Sequence, residues 1–268
     1  MYDEYGSLVL HRLFTRRWLG ALAGAVVFAV ACWFLGQWQY GRHVAKVERN
    51  ERIDAHYEAT PVPATDILTS SPLPLARQWT HVTATGSYAD DAFYVRNRPN
   101  NDGVYGYEIL APFVTGDGAA FLVDRGWVKN SDGGANVLPD VPPAPSGEVT
   151  LTGWTIPGER SLGRELPAGQ LASINVAEAR TATGIELLDG YVRLDQETTA
   201  DGAEPPRPQA LGAPDKSLGP HLAYAWNWWL VMPAGFVLVW LGIRREERDE
   251  NPDPVRVKKT RIWDEEDE

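Results

Sequence analysis

Two charge-free stretches constrain this chain more than any other feature. From Leu222 to Ile243 it reads LAYAWNWWLVMPAGFVLVWLGI, which at helical rise crosses a hydrocarbon core of roughly 30 Å. Its first third holds Tyr224, Trp226, Trp228 and Trp229, rings that suit a membrane interface. His221 stands at its start, and Pro233 is expected to kink it. Near the other end of the chain, Leu19 to Trp38 is a second apolar run of spanning length, in which Gly20 and Gly24 form a small-xxx-small pair for close helix approach. A cleaved signal peptide competes for this run, because Ala29-Val30-Ala31 before Cys32 resembles a cleavage site. The run continues through Trp33-Phe34-Leu35, however, so an uncleaved anchor is expected.

Flanking charge sets the expected orientation. Arg244, Arg245, Arg248, Arg256, Lys258, Lys259 and Arg261 follow the second run, with little but Lys216 ahead of it. Basic flanks stay in the cytoplasm. Both termini are therefore expected there, with the segment between the spans outside. Asp3 and Glu4 do not fit an acid-poor transit peptide, so the expected location is a bacterial plasma membrane. The expected organisation is a cytoplasmic N-terminus (1–18), a first span (19–38), an extracytoplasmic domain (39–220), a second span (222–243) and a cytoplasmic tail (244–268) ending in Asp264-Glu265-Glu266-Asp267-Glu268.

Arg42 to Tyr57 mixes charges at helical spacing and is expected to continue the first helix until Pro61 and Pro63 stop it. Strand patterns then dominate. They cover Trp79 to Tyr88, Phe93 to Arg98, Tyr105 to Phe113 with a break at Pro112, Ala120 to Val128, Val149 to Ile156, Leu171 to Asn175 and Tyr191 to Leu194. Asn175 to Thr183 reads as a short helix with Asn175 as N-cap. Asn130 to Gly147 reads as an exposed loop and Gly202 to Pro214 as a Pro-rich linker. The fold class is thus two transmembrane helices flanking a small antiparallel β-barrel or sandwich-like domain.

Several functions are disfavoured by composition. A net charge of −11 is wrong for a nucleic-acid partner. Cys32, Met1 and Met232 are too few soft ligands for copper delivery. HExxH, GxSxG, Walker A and GxGxxG are absent, and no two of His11, His43, His56, His81 and His221 lie at a metal-ligand spacing, so nothing supports an enzyme.

Several motifs nevertheless assemble into a resemblance. Leu35-Gly36-Gln37-Trp38-Gln39 with Arg42 and Lys46 resembles the end of the first span in the Surf1 (Shy1) family. Arg96-Asn97-Arg98 with Gly106-Tyr107-Glu108-Ile109-Leu110-Ala111-Pro112 resembles that family's central stretch. Leu122 to Val128 is similar to its strand ending in Arg-Gly-Trp, although the family often has Asn where Asp124 stands. His221 to Trp228 resembles the start of its second span, where Gln is commoner than Asn227. The acidic tail and Pro-rich linker lie outside the resemblance.

The resemblance implies an assembly factor for haem-copper cytochrome c oxidase that assists placement of haem a in the catalytic subunit. Its implied partners are oxidase subunits and haem a synthase, besides the lipid bilayer. It also implies His221 as the residue associated with haem a. Imidazole is a common axial ligand of haem iron, and the adjacent rings offer flat apolar faces. Tyr224, on the same helix face, is expected to stack or hydrogen-bond, while Gln39 and Arg42 are expected at the same membrane level, Arg42 suiting a propionate. Plain snorkelling of Arg42 competes with that role. Arg125, Gly126 and Trp127 are expected to fix a strand end. The alternative is a membrane scaffold that stabilises an oxidase intermediate without binding haem.

Overall fold

The computed structural model describes residues 13–134 and 137–250. The acidic tail, the trailing Arg256, Lys258, Lys259 and Arg261, and His11 lie outside the described residues. In chain order the elements are α1 (Arg16–His56), β1 (Val62–Pro63), β2 (His81–Tyr88), β3 (Phe93–Pro99), β4 (Tyr105–Thr115), β5 (Ala120–Lys129), β6 (Val149–Ile156), β7 (Gln170–Leu171), α2 (Val176–Thr183), β8 (Leu187–Thr199), α3 (His221–Val231) and α4 (Ala234–Glu250). They divide into two compact units, Met1–Val47 with Ser217–Glu268, and Glu48–Lys216.

The first unit is helical. α1 and the α3–α4 pair carry stretches of mean hydropathy 2.2 and 1.4, of which only 17% and 11% is buried. Both are long and apolar enough to cross a membrane, and such low burial is unlike the core helix of a soluble domain. α3 ends at Val231 and α4 begins at Ala234, with Pro233 in the break. Pro233 lacks the N–H that would bind the preceding turn. Trp18, Ala25, Cys32 and Gly36 are buried on α1, and Trp18 and Ala25 cluster with Val239 and Ile243.

Backbone approach here depends on small residues, but not on the expected pair. Gly20 and Gly24 have nothing within reach of an added Cβ and are exposed. The close approaches are Gly36 under the Trp229 indole, Gly242 under the Trp18 ring, and Gly235, where a Cβ would stand 3.1 Å from the Ala25 Cα. Which glycines matter depends on the face the partner helix takes, and spacing along α1 does not carry that information.

The second unit is a mixed sheet in the order β1-β2-β6-β8-β5-β4-β3-β7. Three pairings, β1–β2, β3–β7 and β5–β8, are parallel, so the all-antiparallel expectation is corrected. β2 also pairs with β4 over Gly86–Tyr88, so the ladder through β6, β8, β5 and β4 returns to β2. One core cluster gathers Leu68, Val82, Phe113, Phe121, Leu151 and Val192. A second gathers Val95, Leu110, Leu122, Ile174 and Ala179. The end of α1 belongs to this unit, with Ile53 fully buried against Trp79 and Trp154.

Three further strand expectations are corrected. β4 runs straight through Pro112. Pairing with β3 ends at Leu110 and pairing with β2 starts at Phe113, so the missing N–H falls where the strand changes neighbours. β8 is far longer than the expected Tyr191–Leu194, because β5 and β6 support it from both sides. The expected strand at Leu171–Asn175 is reduced to Gln170–Leu171. The helix capped by Asn175 is present, its Oδ1 accepting from the Glu178 N–H at 2.9 Å.

Candidate functional site

The helical unit brings α3 to α1 at His221. The imidazole is half-buried and its Nδ1 lies 3.0 Å from the Gln39 amide oxygen. An amide oxygen only accepts, so Nδ1 carries the proton and donates it. Nε2 then keeps its lone pair, the tautomer a metal requires, with the ring held by a neighbour.

Two residues not assigned a site role from the sequence complete this corner. Lys46 donates to the Ser217 carbonyl at 3.0 Å. Gly219 holds φ +62, and a Cβ there would stand 3.5 Å from Lys46 Nζ and 3.7 Å from His221 Nε2. The free imidazole nitrogen and an ammonium thus flank one bare backbone position, and any side chain on Gly219 would fill the space between them. Lys46 follows Gln39 by two helical turns, which puts it on the same face of α1, and that periodicity was the available signal. Arg42 and Lys46 both bring positive charge to bear on His221.

The other expected residues behave differently. Arg42 is exposed and stacks its guanidinium over Trp38, 5.3 Å from the ring centre, the i+4 neighbour on its own helix. Tyr224 is half exposed, and its side chain has no ring contact or hydrogen bond among the described residues. The aromatic wall is built instead around Trp229. Its ring lies 6.3 Å from Trp33, 6.0 Å from Tyr40 and 5.4 Å, edge-on, from Trp226. Trp33, Tyr40 and Trp226 are each roughly half exposed, leaving apolar ring faces available.

In the β unit, the Arg-Gly-Trp run is structural, and more deeply so than a strand end. Arg125 is buried and donates to Glu197 at 2.8 Å, while Glu197 also accepts from the Tyr88 hydroxyl at 2.6 Å. Burial, then the Glu197 charge, push the Tyr88 pKa well up, so its hydroxyl remains a donor. Gly126 has φ +136 where β5 breaks register against β4, and a Cβ there would meet the Gln209 carbonyl. Gln209 in turn exchanges two backbone hydrogen bonds with Trp127, so the expected linker is pinned to the sheet at that point.

The SURF1 family profile matches residues 26–232, most of the chain. Uncharacterized SURF1-like proteins of Mycobacterium bovis and of two Mycobacterium tuberculosis strains are each 31% identical over 251 residues, covering 88% of this chain and 89% of the relative. The chain belongs to the SURF1 family. The family is generally one of cytochrome oxidase assembly factors. The matched region spans both helical segments and the β unit, and it contains Gln39, Lys46, Gly219, His221 and Trp229.

Chemically, the corner can offer one neutral imidazole nitrogen, one or two cations and several exposed ring faces. Among the described residues no three of His, Cys, Asp or Glu gather to hold a bare metal ion. A macrocycle that brings its own equatorial ligands needs only one nitrogen from the protein.

Proposed function

We propose that this SURF1-family protein is a membrane-anchored assembly factor for haem-copper cytochrome c oxidase that holds haem a at the outer membrane interface for the catalytic subunit. The observation that carries the reading is the 3.0 Å bond from His221 Nδ1 to Gln39, which dedicates Nε2 to ligation. The residues present fit haem a. His221 would hold the iron, Lys46 or Arg42 would face the propionates, and the half-exposed Trp33, Tyr40 and Trp226 would meet the ring system. Haem a, when bound, supplies only a cargo to be handed on. This chain's residues orient the imidazole and keep its proton on Nδ1.

The basic flank behind α4 supports cytoplasmic termini in a bacterial plasma membrane and His221 on the outer side. The ladder returning to β2 supports reading the β unit as a small barrel that docks on oxidase subunits. Assembly, rather than catalysis, is the role.

The test is the absorption spectrum of full-length protein purified from cells that make haem a. Wild type should carry haem, and His221→Ala should carry none. Gln39→Leu, which frees the ring and its tautomer, should lower affinity roughly 10–100-fold. Equal haem in wild type and His221→Ala would remove the ligand role. If a strain lacking the gene still shows lowered oxidase activity, the protein would then be a scaffold.

A further inference from the structure

The β unit encloses a cavity of about 310 Å³ that the haem reading does not use. Asp124, Arg193, Glu108, Tyr191, Trp79 and Trp127 line it, and the exposed Asn101 and Gln209 lie at its rim. Its volume falls at the low end of small-molecule sites.

Two opposite charges on its wall are not paired with each other, and one indole N–H has no acceptor. Asp124 is 2% exposed, yet its carboxylate makes a single hydrogen bond, from the Gly126 N–H at 3.2 Å, and no ion pair. Arg193 is its register partner on the adjacent strand β8, the placement in which opposite charges ordinarily pair. Instead the guanidinium lies 5.7 Å over the Trp79 ring and donates to the Gly212 carbonyl at 2.5 Å. Trp79 is 5% exposed and its indole N–H has no acceptor. A bulky residue at φ +68 is uncommon, and the fold holds Trp79 there by a backbone bond to the Thr155 carbonyl at 2.8 Å. The remaining charges are already matched, since Arg98 is shared between Glu108, at 3.1 Å, and Glu159. Buried polar groups left this way each cost free energy unless something fills the gap.

We propose that this cavity binds a small zwitterion of the α-amino-acid class, its ammonium group on Asp124 and its carboxylate on the Arg193 guanidinium. Neither end alone matches both charges. A cation leaves the Arg193 guanidinium facing no anion, and an anion leaves Asp124 bare. Trp127, held by its own indole bond to the Arg98 carbonyl at 2.8 Å, supplies an apolar wall.

Binding has a proton signature. Burial, then the nearby Glu108 charge, raise the Asp124 pKa well above the carboxylate range, while Arg193 and Arg98 pull it down in part. An incoming ammonium pulls it down again, so binding should be accompanied by proton release. The other groups facing Asp124 are Glu108 on β4, Tyr191 on β8 and Glu159 after β6. Affinity should rise about tenfold per pH unit while Asp124 is protonated in the free protein.

The experiment is a thermal-shift screen of the full chain in detergent against the twenty common L-α-amino acids. n-Butylammonium and butyrate serve as one-ended controls, and hits go to calorimetry in two buffers of different ionisation enthalpy. At least one amino acid should bind saturably with proton release, and neither control should bind. Asp124→Asn, which keeps the Gly126 bond, should abolish the proton release and most of the affinity. Arg193→Met, which removes the guanidinium, should weaken binding about tenfold. Silence of the whole panel at 10 mM, or equal binding of either control, overturns the proposal.

Discussion

The two units of this chain put their polar groups in opposite places. In the helical unit they sit at the ends of the hairpin. Gln39 meets His221 at one end, and the Trp18 indole donates to Glu246 at 3.0 Å near the other. Between them the buried positions are Ala25, Cys32, Gly36 and Ala225, small enough for backbones to meet. In the β unit the polar groups lie inside, with Arg125 and Glu197 each nearly inaccessible. A lipid-facing pair has no water in which to hide a stray charge, so it excludes charge and relies on fit. A water-soluble sheet domain can bury ions, provided each finds its partner. The same kind of substitution should therefore fail for different reasons in each unit.

The largest effect is expected where a buried ion loses its partner. Arg125→Met leaves Glu197 inside the sheet with only the Tyr88 hydroxyl, and should cost about 3–5 kcal/mol in the unfolding of the β unit. Arg125→Met with Glu197→Leu should recover most of that loss, since a buried pair is worth little over a well-packed apolar one. Chemical denaturation of both variants reads it. A single-variant cost under about 1 kcal/mol would mean that the interior ions contribute no more than surface pairs do, and the contrast between the units would collapse.

Fit, rather than charge, should govern the helical unit. Gly36→Leu drives a side chain into the Trp229 indole, and Gly242→Leu does the same at Trp18. Each should destabilise the helix pair by about 1–3 kcal/mol, as overpacking does. Gly20→Leu and Gly24→Leu point into open space and should be silent. Melting in detergent micelles distinguishes the two pairs. Reversed sensitivities would mean that a partner helix covers the Gly20 face.

Much of this was legible in the sequence because it is periodic. Lack of charge over twenty-odd residues marks a helix long and apolar enough to cross a membrane, and β6 was bounded correctly from its own alternation. His221 and Gln39, which the structure brings together, each sit at the end of an apolar run. What stayed hidden depends on neighbours distant in the chain. Pro112 breaks a strand in isolation but not at a hand-over between β3 and β2. Gly219 counts only because Lys46 stands beside it. The cavity draws its wall from β4, β5, β8 and the segment after β8, which no local pattern joins.

The smallest effect tests the contrast at helix ends. α2, in the β unit, begins with a side-chain cap, Asn175 accepting from Glu178 N–H, and the same side chain donates to the Glu159 carbonyl at 2.8 Å. α3, in the helical unit, begins at Pro220 with no side-chain cap bond. A short helix in water gains little from its own backbone bonds, so the cap is a sizeable share of its stability. An apolar helix facing lipid keeps its backbone bonds because it has no alternative partner for them. Asn175→Ala should therefore cost about 1 kcal/mol in denaturation of the β unit. Pro220→Ala should change stability by less than about 0.5 kcal/mol, its φ of −85° being open to alanine. Were the two to cost the same, α3 would depend on its first turn as a water-soluble helix does, and the reading of α3 as lipid-supported would have to go.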